Sequence, residues 1–217
     1  MNFVAVNDQL ASIAPMVRGC PTIIMLRAFS RAYRDWARQT QYLRVNISGA
    51  TVADVQTYAL GDDPYLDIVG VLAIRGTETL SNGAQQDWNL LPGDPSTWSP
   101  NTPTARPRSF CYLPQAQVSL FQVPDKVYSL LVTAIVQPKE NAAQVPESAL
   151  IEHRNGIESG TLAYLLNLQG QPWTDKVQAE FHRRTFTSSV SNTRAQVQRS
   201  FNTGSVRARP RPFIVGR

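Results

Sequence analysis

Apolar residues first recur at helical spacing in Leu26, Phe29, Tyr33 and Trp36, three or four positions apart. That places them on one face of an amphipathic helix over residues 21–39. Gly19-Cys20-Pro21 precedes it, and proline suits a first helical position because its missing N–H has no partner there. A second helix is expected over residues 147–168, with Leu150, Ile157, Thr161, Tyr164, Leu165 and Leu168 on one side. Gly156, Gly160 and Ala163 share another side. Glycine costs roughly 1 kcal/mol in a helix interior, so two at a four-residue interval point to another backbone packed very close. Gly170-Gln171-Pro172 stops this helix, and Thr174 is expected to cap a third, running to about residue 200. Its inner stripe is Ala179, Phe186, Val190, Thr193 and Val197.

Between residues 45 and 137 the helical period disappears. Residues 51–60 and 66–74 are rich in β-branched and apolar positions, with Gly61-Asp62-Asp63-Pro64 between them, and are expected to pair as a hairpin. Ser81-Asn82-Gly83 marks another turn. Residues 91–109 hold Pro92, Pro95, Pro100, Pro103 and Pro107, which predicts a long, partly extended loop. Three further strands are expected over residues 108–113, 117–123 and 127–137. The predicted fold class is α+β: a helical bundle formed by N- and C-terminal helices, with an inserted small antiparallel β module and an extended C-terminal arm. In this reading residues 1–44 and 139–200 are the helical body. Residues 45–138 are the inserted module with its Pro-rich loop, and residues 201–217 are the arm.

Composition sharpens the picture. Charged residues are 17 % of the 217, below the roughly 25 % usual for globular chains, and there are 15 prolines. Part of the surface is therefore expected to lie against partners. The net charge of +5 is uneven. Residues 181–217 carry eight Arg and no Asp, Glu or Lys, while residues 1–180 have a net charge of −3. A nucleic-acid surface spread over the whole body is disfavoured. Arg27, Arg31, Arg34 and Arg38 lie off the apolar stripe of the first helix. They form either a solvated face or a rail pairing with carboxylates of a neighbouring subunit. The two cysteines, Cys20 and Cys111, are too few for a disulfide scaffold. No run approaches the ~18 apolar residues of a membrane span, and the N-terminus lacks a secretory pattern.

The chain shows no nucleophile elbow, phosphate-binding loop or dinucleotide fingerprint. His153 and His182 have no metal-type partner at i+3 or i+4. Asp62, Asp63 and Asp67 form the one carboxylate cluster. It reads as turn chemistry, with a divalent-ion or acid–base site as the alternative. No catalytic residue, metal site or cofactor is assigned, and the chain is not expected to be an enzyme.

The order of several phrases resembles the head-to-tail adaptor proteins of tailed bacteriophages, also called connector or head-completion proteins. The phrases begin with Val17-Arg18-Gly19-Cys20-Pro21, which leads into the helix carrying Tyr33 and Trp36. Tyr58-Ala59-Leu60 and the strand at residues 66–74 follow, then the Pro-rich passage into Phe110-Cys111-Tyr112-Leu113. Val123-Pro124-Asp125-Lys126-Val127-Tyr128, Gly156-Ile157-Glu158-Ser159-Gly160 and Gly170-Gln171-Pro172-Trp173-Thr174-Asp175 complete the series. The resemblance covers about residues 17–200 and rests on order and spacing.

It implies a dodecameric ring beneath the portal at the capsid vertex, in the virion neck, assembled in the host cytoplasm. Such a ring extends the channel for genomic DNA and gives the tail or nozzle protein a platform. The implied partners are the portal protein, neighbouring adaptor copies and the tail, with no membrane. The arm is then expected to bind the portal through Arg207, Arg209, Arg211 and Arg217, with Phe213, Ile214 and Val215 as apolar anchors. Trp98, in the Pro-rich loop and expected to be exposed, is assigned with Arg106 and Arg108 to a subunit or tail contact. The alternative is a nucleic-acid-binding protein that uses the basic C-terminal helix and arm.

Overall fold

The computed structural model describes residues 1–98 and 104–199. Its backbone contains α1 (Thr22–Thr40), α2 (Glu147–Leu166) and α3 (Lys176–Gln198). The strands are β1 (Phe3–Ala5), β2 (Arg44–Ala50), β3 (Thr57–Ala59), β4 (Leu66–Thr79), β5 (Gln85–Pro92), β6 (Ser109–Leu113), β7 (Gln117–Phe121), β8 (Ser129–Pro138) and β9 (Gln144–Pro146). Strands β1 and β9 form a two-stranded sheet, and the other seven form one sheet in the order β2-β8-β4-β5-β6-β7-β3.

This sheet corrects the expected fold class. The chain is α+β, but a large curled seven-stranded sheet dominates it, with three substantial helices packed together beside it. It is not a helical bundle carrying a small β module. The sheet grew because β2 and β5 are strands that hydrophobic alternation does not announce. β2 is an edge strand whose Asn46, Ser48, Gly49 and Ala50 face solvent, and the start of β5 is Gln85-Gln86-Asp87, all exposed. Two register shifts in β4, at Ile68/Gly70 and Val71/Ala73, bend the sheet along its longest strand.

The expected hairpin of residues 51–60 with 66–74 does not form. β3 keeps three of those residues and pairs with β7 at the far edge of the sheet. Residues 51–56 instead make a loop in which Asp54 has φ 63°. Tyr58 Oη fastens it, donating to Val55 O at 2.6 Å and accepting from Val52 N at 3.1 Å. Ser81-Asn82-Gly83 does turn the chain, joining β4 to β5 as an antiparallel hairpin. One pair is parallel: Leu91 and Pro92 of β5 align with Ser109 and Phe110 of β6 across the Pro-rich loop. The last two residues of β5 were thus expected to be loop.

The helices match the apolar spacing closely. Phe29, Tyr33 and Trp36 are wholly buried, as is Ile157 in α2. Ala179, Val190, Thr193 and Val197 of the α3 stripe are buried and Phe186 half-buried, whereas Leu168 lies past the end of α2 and is exposed. Pro21 sits one position before α1, where its carbonyl accepts from Ile24 N at 2.9 Å. The expected cap of α3 is displaced by one residue. Asp175, not Thr174, accepts from Val177 N and Gln178 N, each at 3.0 Å. Thr174 Oγ1 instead donates to Leu168 O and accepts from Gln171 N, closing the turn after α2.

Two apolar clusters result. The larger joins α1, α2 and α3 to Leu66, Val136 and Val145. The smaller lies among the sheet strands, around Ile74, Leu90, Phe110, Val118 and Leu120. Ile68 packs against both.

Candidate functional site

Three surface regions gather the residues to which the sequence assigns chemistry. The first is the outer side of α1. Arg27, Arg31, Arg34 and Arg38 line a cleft of about 520 Å³ with Gln137 and Asn141. They share a helix face because positions four, seven and eleven apart fall on the same side. Arg34 reaches Glu140 at 3.4 Å and Asp67 at 3.8 Å. The Arg31 guanidinium stacks 4.5 Å from the ring centroid of Tyr164, whose hydroxyl donates to Asp35 at 2.6 Å. The rail is therefore partly satisfied within the chain, while Arg27 and Arg38 stay exposed.

The carboxylate cluster is divided among three tasks. Asp63 Oδ1 accepts from Tyr65 N at 2.8 Å and Leu66 N at 3.0 Å, the turn role expected of it. Asp62 pairs with Lys139 at 2.7 Å, and this hydrogen bond holds the ammonium above its usual pKa. Asp67 faces Arg34. Among the described residues no three His, Cys, Asp or Glu side chains gather as a metal site.

The second region is the end of the sheet at β5, β6 and β7. Trp98 is half-buried, stacking on Phe121 with ring centroids 5.4 Å apart and planes 26° apart. The Arg106 guanidinium lies 4.9 Å from the Trp88 ring centroid, and Trp88 Nε1 donates to Pro107 O at 2.9 Å. Gly76 makes room for this indole, since a Cβ there would fall 2.4 Å from it. Arg108 is exposed, and its backbone N–H donates to Phe121 O at 2.8 Å. The structure thus gathers Trp98, Arg106 and Arg108 at one end of the sheet. It uses Trp98 and Arg106 in contacts within the chain. Trp88 and Phe121, which complete the group, come from distant strands, so no local spacing signalled them.

The third region is α3. Glu180 accepts from Arg183 Nε at 2.7 Å and Arg184 Nε at 3.1 Å, and the two guanidiniums hold its carboxyl down at about 2. Beyond it, to Arg199, the helix has no carboxylate. Val177 and Phe181, one turn apart, are 78 % and 61 % exposed. They are two large apolar side chains turned outward from a helix whose other stripe is buried. The arm residues Arg207, Arg209, Arg211, Phe213, Ile214, Val215 and Arg217 lie outside the described residues.

The histidines serve packing. His153 sits at a kink in α2, with its ring 5.1 Å from those of both Trp36 and Tyr42. Burial lowers its pKa, opposed by the nearby Glu152 carboxylate. Burial and the hydrogen bond to Glu152 push the Tyr42 hydroxyl up to about 12. His182 is half-buried on α3, and burial lowers its pKa as well. Among the described residues, no helix is long and apolar enough to cross a membrane.

No family model matches the chain, and no curated protein matches it.

Proposed function

We propose that the protein is a structural, non-enzymatic head-to-tail adaptor of a tailed bacteriophage. In this reading it forms a ring under the portal in the virion neck, extends the DNA channel, and carries the tail or nozzle protein. The observation that carries the reading is the adjacent exposed apolar pair on α3, Val177 at 78 % and Phe181 at 61 %, accompanied by exposed Ile23 on α1, Ile151 on α2 and Leu91 on β5. Adjacent exposed apolar side chains mark a contact, whereas single ones are ordinary on a surface. A ring subunit needs two lateral interfaces and two axial ones, on different sides. The low charge content and the mixed-sign cleft along α1 support the same reading. The arm supplies the portal contact, with Arg forks for carboxylates and Phe213, Ile214 and Val215 as apolar anchors.

The test is a pull-down on the portal assembly followed by imaging of the complex. Full-length protein is expected to bind and close into a ring on the channel. Protein lacking residues 202–217 is expected to keep its circular-dichroism spectrum and lose portal binding. A protein that stays monomeric and unbound in the presence of the portal overturns the proposal.

A second reading has its own observation. From Arg183 to Arg199 the helix α3 offers arginines, hydroxyls and amides without a carboxylate, which suits nucleic-acid phosphates. Binding of that kind weakens with salt by about 0.9 log units per phosphate contacted per log unit of salt. Docking anchored by apolar residues is expected to survive moderate salt.

A further inference from the structure

The outer faces of α1 and α2 carry opposite charge. On α1 the rail of Arg27, Arg31, Arg34 and Arg38 forms one wall of the basic cleft. On α2, Glu147, Ile151, Glu152 and Asn155 line a second cleft of about 510 Å³. Glu147 and Asn155 share it across the kink at His153, so the face is continuous, and Glu158 extends it. Arg27 and Arg38 are exposed, Glu147 and Glu158 half-buried. Among the described residues none of these four side chains has an ion-pair partner. Glu158 accepts from Ser12 Oγ at 2.6 Å, a neutral donor that leaves its charge in place.

The two faces look in opposite directions. α1 and α2 pack antiparallel: the Trp36 ring lies 5.1 Å from that of His153, and a Cβ on Gly160 would fall 3.2 Å from Ala32 Cβ. Arg27, Arg34 and Arg38 stand roughly 120–180° around α1 from Ala32 and Trp36. Glu147, Ile151 and Glu158 stand roughly 120–180° around α2 from His153 and Gly160. One copy therefore cannot join its own two faces, but two copies can.

Spacing matches as well as charge. Arg27 and Arg38 are eleven residues apart, and so are Glu147 and Glu158. Eleven residues make about three helical turns and about 16 Å. Successive copies in a ring of many subunits differ by a small rotation, so the next copy's α2 keeps the antiparallel sense that α2 has within the chain. Aligning Glu158 with Arg27 then aligns Glu147 with Arg38. Ile151 falls opposite the half-buried Arg34, whose aliphatic stem can cover it. This register brings one like pair level, Arg31 with Arg154. Both are turned aside, Arg31 onto the Tyr164 ring and Arg154 to Gln9 Oε1 at 2.9 Å.

Other occupants fit less well. Two α1 rails face to face would set arginine against arginine, a repulsive contact. A nucleic-acid strand along the α1 cleft would bring phosphates to Asp35 and Glu140, which line it too. The α2 face brings carboxylates to the two ends, where Arg27 and Arg38 are unpaired.

We propose that the chain recognises a second copy of itself head to tail, the outer face of α1 with Arg27 and Arg38 docking on the outer face of α2 with Glu147 and Glu158. The contact joins two different patches, so each copy keeps one face free for the next, and repetition closes a ring or runs on as a filament. This names the lateral contact of the adaptor reading and rests on that reading only for closure into a ring.

The test is sedimentation velocity of the full-length protein over a concentration series at low and moderate salt. Reversible self-association is expected, weaker at the higher salt. R27E/R38E and E147K/E158K each set like charges across the contact, and each alone is expected to weaken association by at least about tenfold. Mixed together they are expected to associate again, because each supplies the face that the other lacks. The quadruple variant R27E/R38E/E147K/E158K, with both faces reversed, is expected to associate by itself. Rescue by mixing also excludes misfolding as the cause of the loss. A chain that stays monomeric throughout the series overturns this contact, and leaves ring formation on the portal to its own test. Loss in E147K/E158K with none in R27E/R38E overturns it too, since the acidic face would then serve another cation. So does failure of the mixture to associate.

Discussion

The Tyr33 hydroxyl, wholly buried on α1, donates a 2.6 Å hydrogen bond to the carbonyl of Pro146, the residue that ends β9 and caps the start of α2. A single side chain thus ties the first helix to the junction where sheet turns into the second. Tyr33→Phe keeps the ring and removes this bond, leaving the carbonyl with the first intrahelical bond that an N-cap accepts. The expected cost is about 0.5–1.5 kcal/mol, read as a lower urea midpoint with an unchanged slope. An unaltered midpoint would show that water reaches Pro146.

Gly156 is the tightest point of the α2–α3 crossing. A Cβ there would lie 2.1 Å from Ser189 Oγ and 2.7 Å from Ser189 Cβ. Gly156→Ala improves helix propensity yet is expected to destabilise the protein by about 1–3 kcal/mol through overpacking. Ser189→Gly removes both obstructing atoms. A double-mutant cycle is expected to show a favourable coupling of about 1 kcal/mol or more. Additive effects would mean that the helices simply move apart.

The pH dependence follows from His153. Burial keeps its folded-state pKa below the ordinary 6.5. The unfolded chain therefore binds more protons than the native one as pH falls through that value. The contribution is complete above about pH 6.5 and is lost on acidification. The melting temperature is expected to fall between about pH 7.5 and about pH 5.5, and His153→Gln should make that fall shallower. His182, shifted the same way by burial, retains part of the slope.

Asp175 and Asp63 both accept backbone N–H groups at the start of a local turn. Asp175→Ala is expected to cost about 1 kcal/mol as a lost helix cap, and Asp63→Ala about 0.5–1.5 kcal/mol as a lost turn bond. Asp62→Ala removes only an exposed ion pair and should leave thermal stability unchanged. If Asp62→Ala proved the most damaging of the three, the carboxylates would have a role beyond folding.

The helices were legible in the sequence because each buries a stripe, and a buried stripe dictates residue type at fixed intervals. The paired glycines of α2 were legible for a related reason. Only a close neighbour makes two helical glycines useful, and it proves to be the side chains of Ser189 and Phe186 rather than the expected bare backbone. The sheet was less legible where its strands touch water. Gln85-Gln86-Asp87 and Ser48-Gly49-Ala50 extend the sheet without burying an apolar side chain, so they carry no alternation to read, although Asp87 bonds across to Arg75 and Thr77. Thr51, Val52 and Val55 have strand-like side chains, but the left-handed Asp54 turns them into a loop. Trp98 and Arg106 stand out in the sequence as candidates for a subunit or tail contact, and the structure shows them in contacts within the chain. Their partners within the chain, Phe121 and Trp88, sit on other strands and could be found only in space.

β4 passes from one apolar cluster to the other without interruption. Leu66 belongs to the helix-side cluster, Ile74 to the sheet-side cluster, and β8 accompanies the strand along most of this length. A pull applied at the tip of the β4–β5 hairpin therefore reaches the helices along a single strand with no loop between, and the two register shifts at Ile68/Gly70 and Val71/Ala73 are where that strand can yield. In mechanical terms the molecule is a lever whose shaft is one strand, and its two bulges set where displacement at the far end is shared between bending and the helical base.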